Sequence, residues 1–248
     1  MNQETHPISR RGETRFLGWA ILFALTFPTL LTYVYFVHLR HASELLQHLV
    51  YSGGKIVQFG FPLFWVLVIE RRRLKWSWPH SQGLAAGFTF GLLVAVGMWA
   101  LYYFWLAPAG IMEQAAAPVR AKVSGFGIDD LKRYIAFGIF YTFVHSLAEE
   151  YYWRWYVFAE ATRIMPRPAA NLVSSLGFTA HHVLLLGTFF GYGNPVTWIF
   201  SAAIAVGGAV WAWMYGRYRS LYPVWLSHAL VDAAIFSIGY HLVRDLMK

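Results

Sequence analysis

Residues 83–106, GLAAGFTFGLLVAVGMWALYYFWL, form an apolar stretch that contains no charged side chain. A hydrocarbon layer of about 30 Å needs roughly 20 apolar residues in a helix to cross it. The stretch therefore predicts a membrane-spanning helix. The sequence as a whole predicts an all-α, polytopic transmembrane helical bundle of about seven (seven or eight) spans, forming one membrane-embedded domain over residues 1–248. The other predicted spans are 16–38, 49–69, 134–152, 169–190, 195–215 and 221–243.

The composition indicates that lipid, and not water, surrounds most of the folded chain. Of the 248 residues, 58% are hydrophobic and only 13% are charged, whereas soluble domains carry about 25% charged residues. The basic residues lie in short clusters between apolar stretches, which is typical of membrane loops and not of a nucleic-acid-binding surface. Cysteine is absent, and this excludes a disulfide framework, a thiolate metal site and a Cys nucleophile.

Loop charges predict the orientation in the membrane. Because cytoplasmic loops carry an excess of Lys and Arg, the N-terminus is expected in the cytoplasm, most simply at a bacterial inner membrane. Seven spans then place the C-terminus outside, and an eighth, re-entrant or interfacial segment within 107–133 would reverse the later half. The basic residues that set this orientation are Arg10, Arg11, Arg15, Arg71, Arg72, Arg73, Lys75, Arg163, Arg167, Arg217 and Arg219.

Two adjacent acids, Glu149 and Glu150, end the fourth predicted span and are followed by Arg154. Ionisable residues within spans are costly in lipid and indicate function. Glu150 and Arg154 stand at i and i+4 with the acid first, the favourable order for an ion pair. Adjacent helix residues point about 100° apart, so Glu149 lies on another face and is available as a general base. Alternatively, both acids are interfacial residues at a helix end.

Histidines occupy the fifth and seventh predicted spans. Phe178 and His182 share one helix face at i and i+4, while His181 points elsewhere, so it stays open which histidine faces a site. His228 and Asp232 are also spaced i and i+4. For each histidine the alternative is a structural polar group that holds helices together.

Together, the three clusters predict a single site between helices. Glu149 and His182 would polarise one water molecule. His228 and Asp232 would stabilise the oxyanion that forms when this water attacks a carbonyl carbon. This chemistry is amide hydrolysis without a covalent intermediate. His145, four residues before Glu149 and on its face, is an additional candidate.

The pattern Glu-Glu-x-x-x-Arg, Phe-x-x-x-His and His-x-x-x-Asp (or Asn) resembles the CPBP family, the CAAX protease and bacteriocin-processing (Abi) enzymes. The motifs cover residues 149–232. The resemblance implies an all-helical intramembrane endopeptidase with a catalytic core over residues 134–243. It implies catalytic roles for Glu149, His182, His228 and Asp232, and supporting roles for Glu150, Arg154 and Phe178.

Metal dependence stays open, because the family has been described both as metalloproteases and as metal-independent glutamate proteases. No cofactor is certain, and zinc is the alternative, with Glu149, His182 and His228 as ligands. The metal-free mechanism is favoured, because a Glu149 that bound the metal would not be available as the general base. Many relatives carry Asn in place of Asp232. An ionised Asp would repel an oxyanion, so Asp232 is expected to be protonated or, preferably, to orient His228 as a charged donor.

The expected partners are the lipid bilayer and a membrane-associated peptide or protein that reaches the site from the bilayer or the cytoplasmic side. Bacteriocins, peptide signals and sorting tails fit better than prenylated proteins. The sequence carries no signal for an oligomeric state.

The main alternative is a non-catalytic membrane scaffold or bacteriocin immunity factor of the same fold. A transporter with a proton relay needs polar residues through both leaflets, and the outer halves of the spans are expected to be too apolar. Gly91, Gly97, Gly207 and Gly208 would allow helices to approach closely.

Overall fold

The computed structural model describes residues 10–74 and 77–247 of the chain. The loop charge at Lys75 lies outside the described residues, and so do the side chains of Arg10 and Arg11. The predicted all-α fold is confirmed, since the regular elements of the described residues are helices. These are α1 (Arg10–Tyr33, continued as a π-helix over Val34–His38), α2 (Glu44–Phe64, continued over Trp65–Ile69), α3 (Ser81–Leu101, continued over Tyr102–Leu106), α4 (Glu113–Gly125), α5 (131–161), α6 (Arg167–Phe190), α7 (Pro195–Tyr218) and α8 (Leu221–Val243).

Side-chain caps explain where three of the helices begin. Asp130 accepts a hydrogen bond from the backbone N–H of Arg133 at the start of α5, at 2.9 Å. Asn194 caps α7 by accepting from the N–H of Val196, also at 2.9 Å. Ser220 caps α8 in the same way. Short polar side chains at these positions bind the first N–H groups of a helix, which have no partner within it.

The helices run back and forth between two faces of the bundle. We call the face where α1, α3, α6 and α8 begin the basic face, because its loops and helix ends carry Arg71, Arg72, Arg163, Arg217 and Arg219. The other is the α4 face. There the guanidinium of Arg120, on α4, donates to the carbonyl of Leu242 at the end of α8 at 2.7 Å. Glycine at Gly110 and Gly127, both with positive φ, marks the turns on either side of α4.

Six helices of the described residues are long and apolar enough to cross a membrane. They correspond to six of the seven predicted spans: Thr14–His38, Glu44–Ile69, Ser81–Leu106, Arg167–Phe190, Pro195–Tyr218 and Leu221–Leu246. The chain is therefore an integral membrane protein. The interfacial segment considered within 107–133 is α4, whose 13 residues are too few to cross a bilayer.

The exception is α5, which contains the fourth predicted span. This helix connects the two faces, but the other helices, and not lipid, cover much of it. Tyr152, Trp153 and Tyr156 are fully buried, as is the acid–base pair of Glu150 and Arg154. A helix shielded in this way can keep charged residues that a lipid-facing helix excludes, so it lacks the hydropathy of the other six.

An ion-pair cluster fixes the basic-face end of α5. The buried carboxylate of Glu160 accepts hydrogen bonds from Arg72, which follows α2, and from Arg163. Arg163 also donates to Glu70 at 2.6 Å. Burial alone would lower the pKa of Arg163, but the hydrogen bonds that it donates to Glu70 and Glu160 raise this pKa above its ordinary value. The cluster therefore ties α2 and α5 together at this end.

Helices α3 and α8 pack closely because small residues line their contact. A Cβ atom at Gly91 would lie 2.8 Å from the Cα of Ser227, the residue before His228. At Gly97, on the same helix, a Cβ atom would meet nothing within 4 Å. Close approach is thus required at Gly91 and not at Gly97.

We expect Gly91→Ala to lower the free energy of unfolding by about 1–3 kcal/mol, because the added methyl group overpacks the contact with α8. Gly97→Ala is the matched control and should be neutral or slightly stabilising. Unfolding of both variants by SDS titration in mixed micelles measures the difference. Equal stability of the two variants would contradict the close contact.

Candidate active site

The carboxylate of Glu149 lies near the middle of α5 and is surrounded by imidazole rings. Its Oε1 atom is 3.6 Å from Nε2 of His181 on α6. Its Oε2 atom is 3.8 Å from Nε2 of His228 on α8 and 4.0 Å from Nδ1 of His145 on α5. Glu149 is only 4% exposed, so a carboxylate and three imidazoles meet in the interior of the bundle.

Both tandem histidines of α6 approach this carboxylate. One ligand atom each from Glu149, His181 and His182 lies within 4.8 Å of the others. The Nδ1 atom of His182 is 2.8 Å from the carbonyl oxygen of Phe178. Since a carbonyl only accepts, Nδ1 carries the proton and Nε2 is free to accept a proton or bind a metal. His182 is therefore held in one orientation by the backbone of its own helix.

Glu150 binds two partners at once. Its Oε1 atom accepts hydrogen bonds from Nη1 of Arg154 at 3.1 Å and from Nδ1 of His228 at 2.7 Å. The second guanidinium nitrogen of Arg154 donates to the carbonyl of Gly208 on α7 at 3.3 Å. The predicted ion pair of Glu150 and Arg154 is thus present, and it connects α5 with α7 and α8.

Aromatic rings cover this ion pair and hold the imidazole of His228. The indole of Trp211 stacks on His228 with ring centroids 4.3 Å apart. The guanidinium of Arg154 lies over the rings of Phe178 and Trp211, at 4.6 and 5.1 Å. Such cation–π contacts compensate part of the cost of burying a guanidinium. Phe178 therefore contacts both Arg154 and His182, whose ring centroid lies 4.6 Å away.

Asp232 lies beside His228, one turn further along α8. Its Oδ1 atom is 3.6 Å from Nε2 of His228, the nitrogen that also faces Glu149. The other nitrogen, Nδ1, is bound by Glu150. His228 is thus oriented by the hydrogen bond that its Nδ1 donates to Glu150, a contact that the helix spacing within α5 or α8 could not reveal.

The donor set of Glu149, His181 and His182 fits zinc, which prefers imidazole nitrogens and carboxylate oxygens. Nδ1 of His181 is buried and has no hydrogen-bond partner among the described residues, whereas Nδ1 of His182 is bound by a carbonyl. The sequence suggested Glu149, His182 and His228 as the ligands. The group of ligand atoms in the structure has His181 in place of His228. His181 was not among the predicted site residues, because the Phe-x-x-x-His motif selects His182 alone.

Residues 131–234 match the family model described as type II CAAX prenyl endopeptidase Rce1-like, which belongs to the CPBP family. The resemblance predicted from the motifs is therefore confirmed. The matched segment runs from the first residue of α5 into α8 and contains the acid–histidine cluster, while α1 to α4 lie outside it. Comparisons with curated proteins and with solved structures gave no match.

Proposed function

We propose that the chain, within the protease family that residues 131–234 match, is an intramembrane endopeptidase that cleaves a peptide bond in a membrane-associated protein or peptide. One observation carries the proposal. The buried carboxylate of Glu149 lies 3.6 and 3.8 Å from imidazoles on two other helices, inside the segment that matches the endopeptidase model. A carboxylate in these surroundings is suited to take a proton from water.

In the proposed mechanism, Glu149 takes a proton from a water molecule that Nε2 of His182 helps to hold. The water oxygen attacks the carbonyl carbon of the peptide bond and forms a tetrahedral oxyanion. Glu149 then returns the proton to the leaving amine, and the C–N bond breaks. Both products leave without a covalent bond to the protein.

His228 would stabilise the oxyanion through Nε2. Because Nδ1 donates to Glu150, Nε2 carries a proton only when the ring is the charged imidazolium. The carboxylates of Glu149, Glu150 and Asp232 lie 3.8, 2.7 and 3.6 Å from ring nitrogens, and negative charges favour the charged ring. In this proposal Asp232 acts on His228 and not on the oxyanion directly.

The catalytic core would extend over residues 134–243, within a single domain over residues 1–248. We place the protein in a bacterial inner membrane with the N-terminus and the basic face in the cytoplasm, since the loops of that face carry the positive charge. If a metal takes part, Glu149, His181 and His182 would hold it. Zinc bound there supplies Lewis-acid polarisation of a carbonyl or a bound water.

The function can be tested with the purified chain in nanodiscs and a set of membrane-spanning peptides. We expect the wild type to generate new peptide N-termini, detected by mass spectrometry. Loss of the proposed oxyanion donor in His228→Ala should reduce the rate at least about 100-fold. His241→Ala, on the same helix α8 but near Tyr103 at the α4 face, is the matched control and should cleave normally. Equal rates for both variants would refute the role of His228.

Metal removal separates the two mechanisms. Because Glu149 is proposed as the base without a metal, we expect a strong chelator to leave the cleavage rate unchanged and the purified chain to contain no stoichiometric zinc. Elemental analysis of the same sample measures the zinc. Loss of activity with the chelator and recovery with added zinc would instead favour a metalloprotease that uses Glu149, His181 and His182.

A further inference from the structure

A lysine lies deep within α2, outside the matched segment of the sequence. Lys55 is eleven residues from the first residue of α2, Glu44, and therefore about 16 Å from that end of the helix. At this depth its side chain does not extend to the membrane surface. Its Nζ atom donates to Oε1 of the fully buried Gln58 at 3.2 Å and interacts electrostatically with Glu149. An ionisable group held inside a span, and in electrostatic interaction with a buried carboxylate, indicates function.

Polar side chains continue from Lys55 in both directions. Tyr51, one turn earlier on α2, hydrogen-bonds with Tyr141 of α5, and its ring lies 4.4 Å from that of Tyr35 on α1. The ring of Tyr141 lies 4.6 Å from that of His145, whose Nδ1 atom is 4.0 Å from Oε2 of Glu149. Together, they form a polar column that leads from the α4 face to Glu149: Tyr35, Tyr51, Lys55, Tyr141 and His145.

The outer end of the polar column opens into a cavity of about 230 Å³ on the α4 face. Tyr35 belongs to both, and the Nζ atom of Lys122 lies 3.9 Å from the centre of its ring. Burial lowers the pKa of Lys122. This outer cavity is lined by Tyr35, Phe36, Arg40, Gln47, Pro118, Ala121, Lys122, Thr188 and Phe189.

The opposite side of Glu149 is closed. Between this residue and the basic face, α5 carries the fully buried aromatic side chains of Tyr152, Trp153 and Tyr156. They belong to a hydrophobic core that includes residues of α1, α2, α6, α7 and α8. A peptide cannot pass through a core packed at the density of protein interiors. The side with polar groups and a cavity is therefore the α4 face. In the proposed orientation this face is opposite to the cytoplasmic side from which the sequence suggested access.

We propose that the peptide substrate reaches Glu149 from the outer cavity along the polar column, and that Lys55 positions it by donating hydrogen bonds to its main-chain carbonyls. The inference rests on the proposed function and names how that site receives its substrate. An ε-ammonium group has three N–H donors, of which Gln58 takes one. An extended peptide presents carbonyls that have no partner of their own, so the contact would not depend on the side chains of the substrate.

The dimensions of the polar column suit a short extended segment. Tyr141 and Glu149 are eight residues apart on α5, or about 12 Å along the helix axis. About four extended residues cover this distance.

Substitution of Lys55 tests its positioning role. We expect Lys55→Met, which keeps the length of the side chain but removes its donors, to raise KM at least tenfold with kcat changed less than threefold. Lys55→Arg restores donors and should bring KM back to within threefold of the wild type. A lysine that only balances the charge of Glu149 would instead change kcat or stability at constant KM, and that result would overturn the assignment.

The route is tested separately from Lys55 by single-cysteine labelling, which is clean because the chain has no cysteine. Ala121→Cys places a thiol in the outer cavity, and Ser81→Cys places one at an exposed position on the basic face. Each variant is assayed before and after reaction with a bulky thiol reagent joined through a reducible disulfide. We expect labelling at position 121 to lower the rate at least tenfold, reduction to restore it, and labelling at position 81 to have no effect.

Different results would contradict the substrate route and the proposed function. If the labelled Ala121→Cys variant cleaves as fast as before, or if labelling at position 81 blocks cleavage, the route is wrong although the proposed function stands. If the wild type cleaves no peptide while the same peptides bind to it, the proposed function fails. In that case the route is tested by binding. If labelling at position 121 does not weaken the binding of these peptides, the route is wrong as well.

Discussion

A Glu149→Gln variant is expected to lose at least about a thousandfold in peptide cleavage while it keeps its fold. The amide has the shape of the carboxylate but cannot take a proton from water, and proton transfer by a positioned side chain contributes up to about 10⁴-fold in rate. The carboxylate is 4% exposed and lies between imidazoles on α6 and α8.

Initial rates in nanodiscs, together with thermal unfolding of the same samples, measure this effect. Glu44→Gln removes a carboxylate from the exposed first turn of α2 and is the matched control. Its rate should equal that of the wild type. If Glu149→Gln kept more than a tenth of the wild-type rate, Glu149 would not be the base and the proposed mechanism would fail.

The second large effect is expected in Glu150→Ala, which should lower the free energy of unfolding by about 3–5 kcal/mol. Glu150 is fully buried and accepts hydrogen bonds from Arg154 and His228. Its removal leaves a buried guanidinium without a carboxylate, and breaking a buried ion pair from one side costs about this amount. Cleavage should fall as well, because His228 loses the hydrogen bond that orients it.

SDS titration of the unfolding of Glu150→Ala measures the loss. Asp129→Ala provides the comparison, since the pair of Asp129 and Arg133 is 70% and 60% exposed. Removal of an exposed pair should cost less than about 1 kcal/mol. Similar losses in the two variants would mean that the buried carboxylate does not hold α5, α7 and α8 together.

Much of the fold was predictable because lipid imposes a simple rule on the sequence. Every lipid-crossing helix must be apolar over about 20 residues, and six such helices follow directly from hydropathy. The ion pair of Glu150 and Arg154 was predictable for a similar reason, since i and i+4 residues on a helix are neighbours. Gly91 lies in close contact with α8, whereas a Cβ atom at Gly97 would have no neighbour within 4 Å. The sequence alone does not distinguish these two glycines.

Contacts between helices were not predictable from spacing along one helix. The hydrogen bond from His228 to Glu150 depends on how α8 lies against α5. His181 and His182 point about 100° apart, yet both reach Glu149. Two histidines on different sides of a helix can approach one group that lies between them, and only the packing of α6 against α5 shows this.

The polar side chains of the second span were also not predictable from hydropathy. Lys55 and Tyr51 lie in the half of α2 next to the α4 face. A single lysine among apolar neighbours barely changes the hydropathy of a span of 26 residues. Its importance appears only when α2 is placed beside α5, where the ε-amino group interacts electrostatically with the carboxylate of Glu149.

The low hydropathy of α5 has a consequence for synthesis of the protein. Each charged residue near the centre of a helix adds about 2.5–3.5 kcal/mol to the cost of transfer from the translocon into lipid, and α5 carries Glu149, Glu150 and Arg154. The groups that compensate this cost, Gly208 and His228, belong to helices that leave the ribosome later. In a nascent chain that ends after α5, this helix would therefore be poorly retained in the bilayer. Stable integration has to wait until the last two helices have been made.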